Sequence, residues 1–497
     1  MPGKFSNFKS GTDIRGIAAE GVEGEVVNLT DDVIAGIVMA FSLWLCKKYS
    51  VKHAKDVKVA VGHDSRISAE RIRLCVVKTL KECGFSVYDC GLSSTPAMFM
   101  TTVDMDCCGA VMITASHHPF NRNGLKFFTK DGGLTSNDID TILEIADGEC
   151  KMWGGAGSVT EVDYMTDYAA RLRKMIIEGV NAEDREHPLK NRKIVVDAGN
   201  GAGGFYAYNV LKPLGADISG SRFLEPDGMF PNHIPNPENP AAMDSAQNAV
   251  LAVDADLGIV FDTDVDRAAV VDDRGMEINR NSLIALAAAI ELENSPGATI
   301  VTDSVTSDGL SEFIESLGGV HHRFKRGYRN VIDEAVRLNS EGIDCPLAIE
   351  TSGHAALREN YFLDDGAYLA TKIVITMAKL SANGNKIGDI ISHLKQPVES
   401  VEHRVNLPID NFKEIGNSIL DSLREFVKTQ RGWSVVEKNY EGIRVSTDKQ
   451  NGDGWFLLRL SVHDPVMPLN VESNSVGGTD IMINRLKEFF DTTIVKF

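Results

Sequence analysis

Three loops gather the side chains that could do chemistry. The first is Thr114-Ala-Ser-His-His-Pro119, followed by Asn121-Arg-Asn-Gly-Leu-Lys126, directly after an apolar strand-like stretch. It offers a hydroxyl at the carboxyl end of a strand, where α/β folds place ligands. Ser116, with His117 beside it and Lys126 nearby, suits a nucleophile or phosphate acceptor with local proton-transfer groups, although a plain polar turn is the alternative. The second loop is Asp262-Thr-Asp-Val-Asp-Arg267. Its three carboxylates, Asp262, Asp264 and Asp266, can converge on one hard cation, and Mg²⁺ is the natural choice. An EF-hand is excluded, because the places that need Gly and Glu hold Arg267 and Asp273. Arg267 can counter charge on a phosphate, and a solvated acidic turn is the alternative here. The third loop is Glu350-Thr-Ser-Gly-His354, with Asp364-Asp-Gly366 soon after. A carboxylate, a hydroxyl and an imidazole on one loop suit hydrogen bonding to a polyhydroxylated ligand.

Two weaker basic features accompany these loops. Lys325-Arg326-Gly327 leads into Tyr328, and Arg459-Leu-Ser461 with His463 could grip a phosphate through a guanidinium fork and a hydroxyl. Each also reads as a solvated turn. A competing motif is Gly199-Asn-Gly-Ala-Gly-Gly204, a G-x-G-x-x-G after a strand, with Glu225 near the ribose-binding distance of about 20 residues. It makes an NAD-dependent oxidoreductase the rival from another class, but leaves the serine loop and the aspartates without a role.

The elements that must carry these loops alternate short β-branched runs with longer amphipathic stretches, the mark of α/β layers. Helices are expected from an N-cap at Thr30 through Lys48, over Ala69–Cys83, over Asp138–Ile145 and over Leu283–Leu292. Strands are expected at Val57–Val61, Val111–Thr114, Lys193–Asp197, Leu257–Phe261, Ala268–Val271, Thr299–Thr302 and Pro346–Glu350. After about residue 396 the pattern becomes α+β: strands Val401–Leu407 and Trp455–Leu460, helices Phe412–Lys428 and Ile481–Phe490. Four blocks result. Residues 1–160 carry the serine loop, 161–278 the aspartate loop, 279–395 the Glu350 loop, and 396–497 form an α+β domain that holds the Arg459 loop, a candidate phosphate grip.

The chain has 497 residues, a prior of about three or four domains. With 43% hydrophobic and 24% charged residues it has the balance of a soluble globular protein. A net charge of −19 repels polyanions and argues against nucleic-acid binding through phosphates, leaving small anionic substrates open. The longest apolar run, Val33–Cys46, is shorter than the roughly 20 residues of a membrane span and reads as a buried helix. No secretory leader is read at the start, so a cytoplasmic location is expected, with no membrane partner. The eight cysteines, including Cys107-Cys108, show no CxxC pair and are expected to be reduced thiols.

Taken together, Gly11-Thr-Asp-Ile-Arg-Gly16, the Thr-Ala-Ser-His-x-Pro loop, Asp262-x-Asp-x-Asp-Arg267, Glu350-x-Ser-Gly-His354 and Gly454-Trp-Phe resemble the α-D-phosphohexomutases, in motif order and over nearly the whole chain. The likeness is to the phosphomannomutase/phosphoglucomutase branch. It implies four domains around a central cleft, three α/β and a last α+β. It implies a phosphoserine at Ser116; Mg²⁺ held by Asp262, Asp264, Asp266 and a Ser116 phosphate oxygen; sugar hydroxyls on Glu350 and Ser352; and substrate phosphate on Arg459 and Ser461. Arg267 would offset charge on the transferring group and Arg15 would steady it. Lys126 and His354 are the candidate acid and base, and His117 could orient the serine loop. The implied activity interconverts hexose 1- and 6-phosphates, mannose or glucose phosphates above all, through a hexose 1,6-bisphosphate, in a monomer or homodimer. Phosphoglucosamine mutase is the near alternative, and a catalytically weak phosphosugar-binding regulator is the alternative of another class.

The sequence departs from the family pattern at His118, usually Asn, and at Tyr328, often His. It departs again through Arg459-Leu-Ser-Val-His-Asp-Pro465, where Val462, His463 and Asp464 replace small polar residues. Asp464 would repel a dianionic phosphate unless paired.

Overall fold

The computed structural model describes residues 3–148, 155–461 and 464–495. The chain divides into two compact units, residues 1–279 with 352–389, and residues 280–351 with 390–497.

The first unit contains two mixed sheets. In one, strands Gly109–Ile113, Lys58–His63, Ser86–Leu92 and Ser158–Glu161 lie parallel in that order, and Arg122–Thr129 and Asp13–Ile17 add antiparallel on the Gly109 side. Parallel strands are buried on both faces, so Gly109–Ile113 is apolar throughout and buried at every position. The helix Asp31–Lys48 begins at Thr30, whose side chain accepts from Val33 N, and packs Ile34, Ile37, Phe41 and Leu45 into this domain's core. Among the described residues no helix is long and apolar enough to cross a membrane. The second sheet pairs Ile194–Asp197 parallel with Leu257–Phe261, which turns back antiparallel into Ala268–Asp272. The aspartate loop is therefore a hairpin connection, closed by the pair Phe261 and Ala268. The helix Gly366–Ala382 packs on Tyr164–Val180; Tyr168 donates to Asp365 at 2.7 Å and Tyr206 bonds Thr371 at 2.9 Å.

In the second unit Val320–Arg323, Thr299–Thr302 and Leu347–Ile349 form parallel strands with Asn281–Asn294, Asp308–Ser316 and Tyr328–Ser340 as helices. Its C-terminal part is an antiparallel sheet, ordered Glu399–Asn406, Val466–Ser473, Gly454–Leu458, Ile443–Thr447, Trp433–Val435. The helices Phe412–Thr429 and Gly478–Asp491 cover it, burying Leu423, Phe456, Leu469 and Leu486 in one core. The expected α+β block is this sheet and its two helices. The seven described cysteines are free thiols; Cys150 lies outside the described residues.

Candidate active site

Ser116 sits just past the strand Gly109–Ile113 with φ at 50°, a left-handed backbone that costs a non-glycine residue of the order of 1 kcal/mol. Two interactions hold it there. Its N–H donates to Thr114 Oγ1 at 2.9 Å, and its carbonyl accepts from the buried guanidinium of Arg66. The same guanidinium donates to the carbonyls of His118 at 2.7 Å, Pro119 at 2.7 Å and Arg122 at 3.0 Å. One planar fork thus fixes the whole serine loop.

The hydroxyl faces the aspartate hairpin. Ser116 Oγ lies 3.3 Å from Asp262 Oδ2, 3.3 Å from Arg267 Nη2 and 3.2 Å from His117 Nδ1. Arg267 also donates through Nε to Asp262 Oδ2 at 3.1 Å and through Nη2 to His117 Nδ1 at 2.8 Å. Burial, then the positive charge of Arg267, pushes His117 down to about 2, so its ring is neutral and Nδ1 accepts. The carboxylates of Asp262, Asp264 and Asp266 each offer an oxygen within 4.8 Å of the others. Lys126 Nζ donates to Asp264 Oδ2 at 3.2 Å and Asp266 Oδ2 at 2.5 Å, while Thr95 Oγ1 donates to Asp264 Oδ2. Burial and the neighbouring Asp266 raise Asp262 well above the carboxylate range. Burial would also raise Asp266, but Lys126, His354 and Arg267 draw it down instead. The hairpin tip is bent to bring this about: Val265 has φ at 66°, a conformation rare for a β-branched residue, and its carbonyl accepts from Gly366 N at 3.1 Å.

His354 bonds Asp364 through Nδ1 and has an atom within 4.8 Å of Asp266 and Asp364 oxygens. Burial opposes its charge, but the Asp364 carboxylate outweighs burial and lifts it to about 9. Arg15 bonds Asp13 at 3.0 Å, and its charge bears on His117 and His118, whose rings stack at 5.2 Å. Ser116, His117, Lys126, Asp262, Asp264, Asp266, Arg267, His354 and Arg15 are thus brought together in the first unit.

A second group assembles in the other unit. Glu350 Oε1 accepts from Gly327 N at 2.6 Å, tying the acidic loop to Lys325-Arg326-Gly327. Glu441 Oε2 accepts from Arg326 N at 3.1 Å and from Ser304, and Glu441 Oε1 lies 3.9 Å from Arg459 Nη1. Arg459 Nε is buried without a hydrogen-bond partner. Ser461 Oγ accepts from Asp464 N at 3.2 Å. Ser352 is buried in the first unit's share of the Glu350–His354 loop. His463 and Val462 lie outside the described residues.

Family models described as phosphoglucomutase/phosphomannomutase α/β/α domains I, II and III match residues 10–151, 167–275 and 279–397. The chain belongs to the α-D-phosphohexomutases. The phosphoglucomutase of Neisseria gonorrhoeae is 28% identical over 483 residues, 97% of this chain and 96% of that protein. The phosphomannomutase/phosphoglucomutase of Pseudomonas aeruginosa is 29% identical over 433 residues, 87% and 86% of the two chains. A phosphoglucomutase/phosphomannomutase family protein of Burkholderia thailandensis matches in structure with a TM-score of 0.78 at 26% identity, over 98% of each chain. Three α/β domains followed by a domain with an antiparallel sheet are the phosphohexomutase architecture, and the enzyme class is an isomerase.

For this phosphohexomutase the rival glycine motif is accounted for by packing. A side chain at Gly199 would meet Pro235, one at Gly201 the backbone of Thr263, and one at Gly204 the carbonyl of Leu224. The turn is filled by protein on three sides. The sequence reading missed Arg66, Thr95 and Glu441. Arg66 and Thr95 follow the strands Lys58–His63 and Ser86–Leu92, so the rule that finds Ser116, polar residues at carboxyl ends of parallel strands, finds them too. Glu441 carries no such signal.

Proposed function

We propose that this phosphohexomutase interconverts hexose 1-phosphates and hexose 6-phosphates, mannose and glucose phosphates above all, through a phosphoserine at Ser116 and a hexose 1,6-bisphosphate. The observation that carries the reading is the single hydroxyl 3.3 Å from both Asp262 Oδ2 and Arg267 Nη2. Phosphoryl transfer asks mainly for positioning and charge neutralisation, and both are present. In the first transfer the P–Oγ bond of phosphoserine breaks as a sugar hydroxyl bonds the phosphorus; the hydroxyl gives up its proton and the serine oxygen takes one. The second transfer makes the same exchange from the other phosphate of the bisphosphate, returning a phosphoryl group to Ser116. Arg267 offsets charge on the group in flight, Arg15 steadies it, and His117 orients the hydroxyl. Lys126 and His354 serve proton transfer, with Asp364 fixing the His354 ring.

The aspartates fit a divalent cation. Asp264 Oδ1 and Asp266 Oδ1 are buried acceptors with no hydrogen-bond partner, beside Asp262. Mg²⁺ bound to these three and to a phosphoserine oxygen would neutralise phosphate charge. On the substrate side, Glu350 and Ser352 are assigned to sugar hydroxyls, and Lys325, Arg326, Gly327, Arg459 and Ser461 to the distal phosphate. The donor that Arg459 Nε has to give supports that last role.

A panel of hexose 1-phosphates, with Mg²⁺ and bisphosphate supplied, tests the proposal on wild type and Ser116→Ala. Turnover of mannose or glucose 1-phosphate is expected to fall by at least about 10³-fold in the variant. Phosphate on Ser116 is expected by peptide mass analysis of the wild type. Equal rates, or no phosphoserine, would overturn it.

A further inference from the structure

The segment from Glu225 to Asn239 is long, has no regular structure, and supplies none of the residues that touch the reacting groups just described. Its middle is rooted in a buried ion pair. His233 Nε2 lies 2.9 Å from Asp197 Oδ1 and His233 Nδ1 lies 3.0 Å from the carbonyl of Ile234, with side-chain exposures of 2% and 0% for His233 and Asp197. A carbonyl can only accept and an ionised carboxylate can only accept, so both ring nitrogens donate and His233 is an imidazolium. Asp197 is completed by Gly199 N at 3.0 Å and by Ser245 Oγ at 2.6 Å. Gly199, with φ at 52°, leaves just the room that Pro235 and His233 occupy. The glycine turn that imitates a nucleotide site is therefore the seat of this segment.

From that root the segment reaches two arginines. On one side Gly228 bridges to Arg66, a Cβ at Gly228 would collide with the backbone at Ser65 and Ile67, and the Phe230 ring lies 5.3 Å from the Arg66 guanidinium. Arg66 is the residue whose fork holds the carbonyls of the serine loop. On the other side Asn236 Oδ1 accepts from Arg267 Nη1 at 3.1 Å, and Glu238 lies 3.7 Å from the same nitrogen. Arg267 Nε is taken by Asp262, so Nη1 is the remaining edge that decides how Nη2 meets Ser116 Oγ.

We propose that the Glu225–Asn239 segment, rooted by the His233–Asp197 ion pair, is a positioning strap that sets Arg66 and Arg267, and through them the reacting hydroxyl. Asn236 and Phe230 are its two working ends and His233 its anchor. The proposal rests on Ser116 being the phosphoryl carrier. A planar guanidinium held along all its edges cannot swing, and a displacement of about 1 Å at such a group can cost on the order of a hundredfold in rate.

Steady-state kinetics and melting temperatures of Asn236→Ala, Asn236→Asp, Phe230→Ala and His233→Gln, alone and combined, test it. Asn236→Ala and Phe230→Ala are each expected to lower kcat by about tenfold with KM changed less than twofold, because they disturb the transfer and not sugar binding. Asn236→Asp keeps the acceptor and is expected to restore most of the rate. His233→Gln is expected to lose about as much as the two ends together, and adding Asn236→Ala to it to cost almost nothing more, since the anchor and its end act as one unit. Wild-type kcat in Asn236→Ala, no recovery in Asn236→Asp, or fully additive losses would each overturn the strap. If Ser116→Ala is inactive while the strap variants turn over normally, the strap alone is wrong; if Ser116→Ala is active, the phosphoserine reading falls first.

Discussion

Arg66 is a buried cation whose guanidinium pairs with one carboxylate and donates to four carbonyls. Its ion pair with Asp64 at 3.3 Å is fully buried, and its remaining donors go to four main-chain carbonyls. Asp64 is pushed up to about 6 by burial, a push that Arg66 only partly offsets. Replacing Arg66 by Met would leave those carbonyls and a buried carboxylate without their donor, and breaking a buried pair from one side costs about 3–5 kcal/mol. Urea denaturation of Arg66→Met should show a loss in that range. Lys395→Met, which removes a pair with Glu312 exposed at 74% and 58%, should change stability by less than about 1 kcal/mol. Equal losses would mean that the serine loop does not depend on Arg66. At this scale the sequence was legible where reactive residue types stand next to one another, as in Ser116-His117 and Asp262–Arg267. It was silent where a role comes from folding alone: nothing in Arg66, Asn236 or Glu441 as letters says which backbone or guanidinium each will meet.

The elements divide by how their burial is patterned. Thr30 capping the helix Asp31–Lys48 and the strands Leu257–Phe261 and Thr299–Thr302 stand where capping and β-branched runs place them. The helices Thr95–Asp104, Tyr164–Val180 and Gly366–Ala382 have no clear signal in the sequence. Thr95–Asp104 and Gly366–Ala382 are buried on most sides and so lack a clean polar face, and Tyr164–Val180 follows a stretch without strand signals. Strand Val466–Ser473 shows what an element can hide. Its Glu472 is buried, accepts from Trp455 Nε1 at 3.0 Å, and faces Arg444, Arg323 and Asp308; the Arg444 guanidinium lies 3.5 Å from the Trp455 ring. Burial outweighs the Arg444 charge and lifts Glu472 from an ordinary 4.5 to about 7. The folded protein therefore keeps a proton that the unfolded chain releases. Its contribution to stability is complete below about pH 4.5 and is lost as pH rises through 7. Urea midpoints followed by tryptophan fluorescence should fall from pH 5 to 8 in wild type, and this part of the slope should vanish in Glu472→Gln. An unchanged slope would show Glu472 to be ionised in the fold.

Over the whole molecule the charge is −19, yet the acidic trio is not left to that field. Lys126, Arg267 and the charged His354 ring stand around the three aspartates, yet Asp264 Oδ1 and Asp266 Oδ1 remain buried acceptors with no donor. A cation that binds the folded chain and not the unfolded one must raise its stability, by about 2.7 kcal/mol at a hundred times the dissociation constant. Thermal unfolding should therefore move upward by a few degrees when millimolar Mg²⁺ replaces EDTA, with no substrate present. Asp264→Asn should abolish the shift while the surface change Glu312→Gln retains it. The general negative field would act alike on both variants, so equal shifts would assign the effect to charge screening over the surface and remove the trio as a specific site. A larger shift in protein carrying phosphate on Ser116 than in Ser116→Ala would add what neither variant can give. It would show that the serine's phosphate and the carboxylates hold the same ion, which is the arrangement phosphoryl transfer at this hydroxyl needs.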